Sequence, residues 1–94
     1  MDLAEIAARL QTGLDEKPID DSLKFDCGEA GVISIVDSKA ELADKDTDCT
    51  IRISPNNLDK LLSGQLNPMT GFAMGKIKVS GDMTVAMKLS QMLG

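Results

Sequence analysis

The chain has no histidine, no tryptophan and no tyrosine, and only two phenylalanines and two cysteines among its 94 residues. Each shortage removes a class of function. Without histidine there is no Ser-His-Asp triad, no Cys-His nucleophile and no histidine-ligated metal. Cys27 and Cys49 stand 22 positions apart, outside metal or redox spacing, and read as reduced core thiols. No glycine loop has phosphate-cradling spacing, and the carboxylates fall in loops and on solvent faces. The expectation is a protein that is not an enzyme and takes no cofactor and no metal. No run approaches the roughly 20 apolar residues that span a bilayer. Asp2 and Glu5 stand where a secretory signal would be basic, so a cytoplasmic setting is expected.

Positive charge is also scarce. The net charge is −5, which disfavours nucleic acid as a partner. Residues 1–63 carry 7 basic against 14 acidic side chains, whereas residues 64–94 carry Lys76, Lys78 and Lys88 against Asp82 alone. Two of those lysines read as the solvent face of a strand, or all three as contacts for an anionic headgroup or an acidic membrane surface.

What is present is a single domain over 1–94, its interior drawn from Ile, Leu, Val, Ala and Met. Leu3, Ile6, Ala7, Leu10 and Leu14 follow helical spacing behind the N-cap Asp2, with Gly13 and Pro18 as stops. Leu23, Phe25 and Cys27 alternate as a strand, and Gly28–Gly31 forms a hairpin connection. Val32–Val36, apolar on both faces apart from Ser34, predicts a central strand covered on one side by helices and on the other by ligand. A short strand is expected around Leu42, another at Cys49, Ile51 and Ile53, and a helix from the Ser54-Pro55 cap to Gly64. Asn67-Pro68 starts a third helix, Lys76–Ser80 alternates as a strand, and Asp82 caps the last helix. The predicted order is α-β-β-β-β-α-α-β-α. Two short patterns are decoys. Asp44-x-Asp46-x-Asp48 lacks the glycine and the twelfth-position glutamate of a calcium loop. Asp21-Ser22-Leu23 matches the phosphopantetheine-bearing tripeptide of acyl carrier proteins but leads into a strand, not their long helix.

The final helix has more apolar surface than docking on a sheet requires. Met83, Val85, Ala86, Met87, Leu89, Met92 and Leu93 span roughly 220° of its circumference, against the roughly 100° stripe of an ordinary surface helix. The surplus predicts a partner, a membrane or a ligand. Val85, Leu89, Met92 and Leu93 form the arc suited to the sheet, and Met83 and Met87 lie on the adjacent arc, facing a cavity. Taken alone, the methionines also read as filler for a core short of aromatics.

The ordered set Gly64-x-Leu66-Asn67-Pro68, Phe72, Gly75-Lys76-Ile77-Lys78-Val79 and Gly81-Asp82-Met83-x-x-Ala86-Met87-Lys88-Leu89 resembles the signature of the sterol-carrier-protein type-two domain. Asp48-Cys49-Thr50-Ile51 resembles the family's strand entering the preceding helix. The match is dense over about half the chain and weak before Ala40. It implies an α+β fold: a five-stranded mixed, mainly antiparallel sheet with helices packed on one face, enclosing a hydrophobic tunnel. It also implies a carrier that holds fatty acid, fatty acyl-CoA, sterol or phospholipid without chemistry. The expected lipid contacts are Ile35, Leu66, Met69, Phe72, Met74, Ile77, Met83 and Met87, with Lys76, Lys78 and Lys88 at the headgroup. The expected partners are the lipid and, transiently, a membrane surface, for a chain that is a monomer. The alternative is an interaction module that docks on a lipid-metabolising enzyme through its apolar last helix. The chain stops soon after that helix without a Ser-Lys-Leu-type ending, which points to a bacterial or cytosolic setting. Asp82 stands where the family often has a neutral amide.

Overall fold

Two helices clasp the last strand of the sheet, and that arrangement positions everything else. The structure, a computed structural model, describes residues 2–93 and side chains as far as Leu89; Met92 and Leu93, assigned above to the docking arc, lie outside the described side chains. The elements are α1 (Leu3–Glu16), β1 (Leu23–Asp26), β2 (Val32–Val36), β3 (Lys39–Glu41), β4 (Cys49–Ile53), α2 (Pro55–Leu62), α3 (Pro68–Ala73), β5 (Ile77–Gly81) and α4 (Met83–Leu93). The five strands form one sheet in the order β3-β2-β1-β4-β5. Only β1 and β4 run parallel, and the other neighbours are antiparallel. This is the mixed, mainly antiparallel α+β architecture expected.

Alternation along each strand sorts the two faces. Leu23, Phe25, Ile33, Ile35, Cys49, Ile51, Ile53 and Ile77 are buried together with Leu3, Ile6, Leu10 and Leu14 of α1, Leu58 and Leu61 of α2, and Val85 and Leu89 of α4. The opposite face carries Lys24, Asp26, Thr50, Arg52, Lys78 and Ser80, in register across β1, β4 and β5. Helices therefore need cover only one face.

Local chemistry explains the element ends. Asp2 accepts from the Ala4 amide at 3.0 Å, Ser54 from Asn57 at 3.2 Å, and Asn67 from Met69 at 2.9 Å. Gly13 does not stop α1, which runs one turn further to Glu16. Burial of Leu14 on the core stripe outweighs the roughly 1 kcal/mol a mid-helix glycine loses against alanine. Residues 28–30 wind into a single 3-10 turn. The β2–β3 turn uses Asp37 and Ser38 at φ 54° and 62°. Ser38 Oγ accepts from the Ile19 amide at 2.9 Å and donates to its carbonyl at 2.8 Å, which holds the turn against the α1–β1 loop. The third strand ends before Leu42, which lies exposed beyond it.

The second strand also differs from expectation. It lies inside the sheet, but β1 is the middle strand. Its off-core face is closed at Ser34 by the following loop and not by ligand. The buried Ser34 hydroxyl donates to the Ala43 carbonyl and accepts from the Lys45 amide at 3.1 Å. The decoys have structural roles. Asp44 pairs with Lys24 at 2.7 Å, and Ser22 Oγ accepts from the Asp48 amide at 2.8 Å.

Gly81 ends β5 at φ 90°, and a Cβ there would lie 2.4 Å from the Asp48 carbonyl oxygen. Gly64 also has positive φ, 78°, yet a Cβ there meets nothing within 4 Å. Gly81→Ala is therefore expected to combine backbone strain of about 1–3 kcal/mol with a clash, while Gly64→Ala carries the strain alone. Thermal melts should place Gly81→Ala clearly below Gly64→Ala. Equal melting temperatures would show that the Asp48 contact does not hold β5 in place.

Candidate functional site

Over β4 and β5, α3 and α4 do not meet flush. Between them lies a cavity of about 240 Å³, lined by Ile51 of β4, Leu61 of α2, Ile77 and Val79 of β5, Pro68, Met69 and Phe72 of α3, and Met83, Ala86, Met87 and Leu89 of α4. All eleven side chains are apolar. Ile51, Leu61, Ile77 and Leu89 at the floor are buried, whereas Met69, Phe72, Met83 and Met87 at the rim are exposed by 74, 46, 47 and 62%.

The geometry follows from the glycines around the strand. Gly71 lets α3 lie against β5: a Cβ at that position would stand 2.7 Å from Ile77 Cδ1 and 3.4 Å from Leu66 Cδ2. Gly75 at φ 77° and Gly81 at φ 90° then turn the chain into and out of β5. On α4, Val85 and Leu89 are buried against the sheet, and Asp82 Oδ1 accepts from the Thr84 amide at 2.9 Å. Fixing that face of the helix leaves Met83 and Met87, one turn apart, over the gap.

The structure thus brings Met69, Phe72, Ile77, Met83 and Met87 to one cavity. Three others of the expected set stand elsewhere. Ile35 and Leu66 are packed in the core, and Met74 is exposed beyond α3; none of the three lines the cavity. Sequence reading left out Ile51, Leu61, Pro68, Val79, Ala86 and Leu89. Val79 shares a strand face with Ile77, and Ala86 lies three residues after Met83, so periodicity carried a signal for both. Leu61 and Ile51 arrive through tertiary packing.

The lysines divide. Lys78 lies between Ile77 and Val79 on the strand and so faces the other side of the sheet. There it joins Lys76, Arg52, Asp26 and Ser54 around a second, shallow depression of about 480 Å³. Lys88, next to Met87, pairs with Asp21 at 2.7 Å. That hydrogen bond pushes the Lys88 ammonium above its usual range, so it is charged at neutral pH.

A site with no side-chain donor, acid or base in its wall, and only weakly accepting thioethers, can exclude water and contact apolar groups. It offers nothing to orient a polar reactant. Buried Cys49 has its thiol pushed up by burial and by the Asp82 carboxylate, which disfavours the nucleophilic thiolate.

Comparison with known proteins gives a consistent result. The sequence pattern of the SCP-2 sterol transfer family matches residues 2–94. Sterol carrier protein 2 of Gallus gallus is 41% identical over 64 residues, covering 65% of this chain and 12% of that protein. The chain thus spans about an eighth of that relative's length. The solution structure of sterol carrier protein domain 2 of Helicoverpa armigera superposes with a TM-score of 0.77 at 25% identity, covering 95% of this chain and 83% of that one. Sterol carrier protein 2 from Aedes aegypti in complex with the C16 fatty acid palmitate superposes with a TM-score of 0.80 at 16% identity, covering 96% and 92%, and that likeness shows the fold.

The two sides of α4 should respond differently to one substitution. Met87→Trp places its bulk over the open cavity and should leave the melting temperature near that of the unaltered protein. Leu89→Trp overpacks the sheet contact and should be destabilising by about 1–3 kcal/mol. Equal destabilisation would make Met87 a packing residue.

Proposed function

Because the chain belongs to the SCP-2 sterol transfer family, we propose that it is a non-catalytic lipid-binding domain that holds the apolar part of a lipid between α3 and α4. The observation that carries this reading is the cavity itself: eleven apolar lining residues, with large hydrophobic side chains exposed at its mouth. A monomeric domain gains nothing by leaving such a group in water. Palmitate in the Aedes aegypti relative makes a fatty acyl chain the first ligand to try. Acyl-CoA, sterol and phospholipid are the other candidates, and none needs chemistry from the wall.

Energetics favour long chains. Burying a methylene contributes about 0.8 kcal/mol, and micromolar affinity corresponds to about 8 kcal/mol. Roughly ten methylenes must therefore leave water before the losses on association are counted. At about 240 Å³ the cavity lies below the usual range of roughly 300–1,000 Å³ for ligand pockets. The rim has to yield, and methionine, with its flexible thioether chain, yields readily. Such a wall discriminates poorly by shape, which suits a broad lipid range.

We assign Lys88, beside Met87 at the rim, to an anionic headgroup that leaves the cavity mouth. Lys76 and Lys78, on the other face of the sheet, take that role only for a group long enough to pass around the β5 edge. Ile35, Leu66 and Met74 remain candidates only for a ligand that opens the structure further.

A second reading draws on the same exposed rim: docking of a lipid-metabolising enzyme on α3 and α4. Native mass spectrometry of the purified protein separates the two. Retained lipid supports the carrier, and a protein complex free of lipid supports the docking surface.

Fluorescent fatty acids should bind saturably and be displaced by unlabelled lipid. Affinity should rise about fourfold per added methylene until the cavity is filled. Absence of displaceable binding to folded protein would end the carrier reading. Reversing Lys88 to Glu should weaken acyl-CoA several-fold at most, since exposed ion pairs are worth about 0–1 kcal/mol, and should spare a neutral sterol. Equal losses for both ligands would remove the headgroup role.

A further inference from the structure

Sulfur is partitioned in this molecule. Every methionine whose side chain is described, Met69, Met74, Met83 and Met87, is exposed by 47 to 74%, and none belongs to the buried core. Cys27 and Cys49 are buried, and burial pushes both thiols above their usual range, leaving little thiolate at neutral pH. Tryptophan, tyrosine and histidine are absent from the sequence. A two-electron oxidant in solvent therefore meets thioethers first, and three of these four line the apolar cavity.

We propose that Met69, Met83 and Met87 form an oxidation-sensitive rim, at which hydrogen peroxide switches off lipid binding while the domain stays folded. The inference rests on the carrier reading above. The thioether sulfur attacks one peroxide oxygen, the O–O bond breaks, a sulfoxide S–O bond forms and water leaves. Sulfur loses two electrons and peroxide gains them. The sulfoxide is a strong hydrogen-bond acceptor in a wall that has no side-chain donor. It must either stay in water, holding the rim away from the lipid, or lie unpaired against an alkyl chain. Because these sulfurs are outside the core, helix–sheet packing is not touched. Sulfoxides are returned to thioethers by reductases, so the change is reversible.

The test reads each protein against itself, as the ratio of lipid Kd after and before peroxide treatment. Sulfoxide occupancy is mapped by peptide mass spectrometry, and folding is followed by thermal melting. The unaltered protein should lose about tenfold or more in affinity once Met69, Met83 and Met87 are oxidised, with its melting transition retained. A variant carrying Met69→Leu, Met83→Leu and Met87→Leu together, whatever its own affinity, should keep its ratio within about twofold, since leucine has no sulfur to oxidise. Met74→Leu, outside the cavity, should lose affinity as the unaltered protein does. The proposal is overturned if full oxidation of the three leaves the affinity in place, if the triple variant loses as much, or if the treated protein unfolds. If untreated protein binds no lipid, the carrier reading itself falls and the switch with it; binding that survives oxidation removes the switch alone.

Discussion

The contact on which the rest depends is the seating of β5 against β4 at Gly81, where the backbone passes so close to the Asp48 carbonyl that no side chain fits. The Asp82 amide then donates to that same carbonyl at 2.8 Å. This fixes the last strand at the sheet edge with a helix on each side of it in sequence. Both helices must cover one narrow apolar face, that of Ile77 and Val79. Since α3 is held close by Gly71 and α4 is anchored through Val85 and Leu89, the space between them is left lined but unfilled. The cavity is a consequence of topology more than of any single side chain.

The absence of tryptophan and tyrosine has a structural meaning in this light. A tryptophan or tyrosine in α3 or α4 could bridge the gap and close it. Thioethers and one phenylalanine cover its mouth without filling it. Methionine is flexible and apolar at once, so the surface can accept an apolar guest without a rigid template. Specificity, in such a site, comes from how much apolar surface the guest buries and much less from hydrogen bonds.

Much of the fold was legible because its signals are local. Caps at Asp2, Ser54 and Asn67, and alternation in β1, β4 and β5, mark elements through backbone chemistry and period. Element ends were less so: Gly13 remains helical because Leu14 is drawn into the core, a tertiary effect. The closure of the second strand by the Ala43–Lys45 loop was also hidden, since it depends on one serine hydroxyl and a distant turn. At the site, Met83 and Met87 could be placed from the helical wheel, because the docking arc of Val85 and Leu89 fixes the rotation of α4. Ile35 could not: a buried strand residue reads the same whether it faces helix or cavity, and only the strand order decides. Met74 follows α3 closely yet faces away, since the turn at Gly75 redirects the chain.

The central claim is that an alkyl chain lodges between α3 and α4. Methionine methyl groups report on it directly in a ¹³C NMR titration with palmitate. The Met69, Met83 and Met87 methyl signals should shift together and saturate, while Met74, outside the cavity, moves little. Saturation that perturbs Met74 and leaves those three unmoved would contradict it.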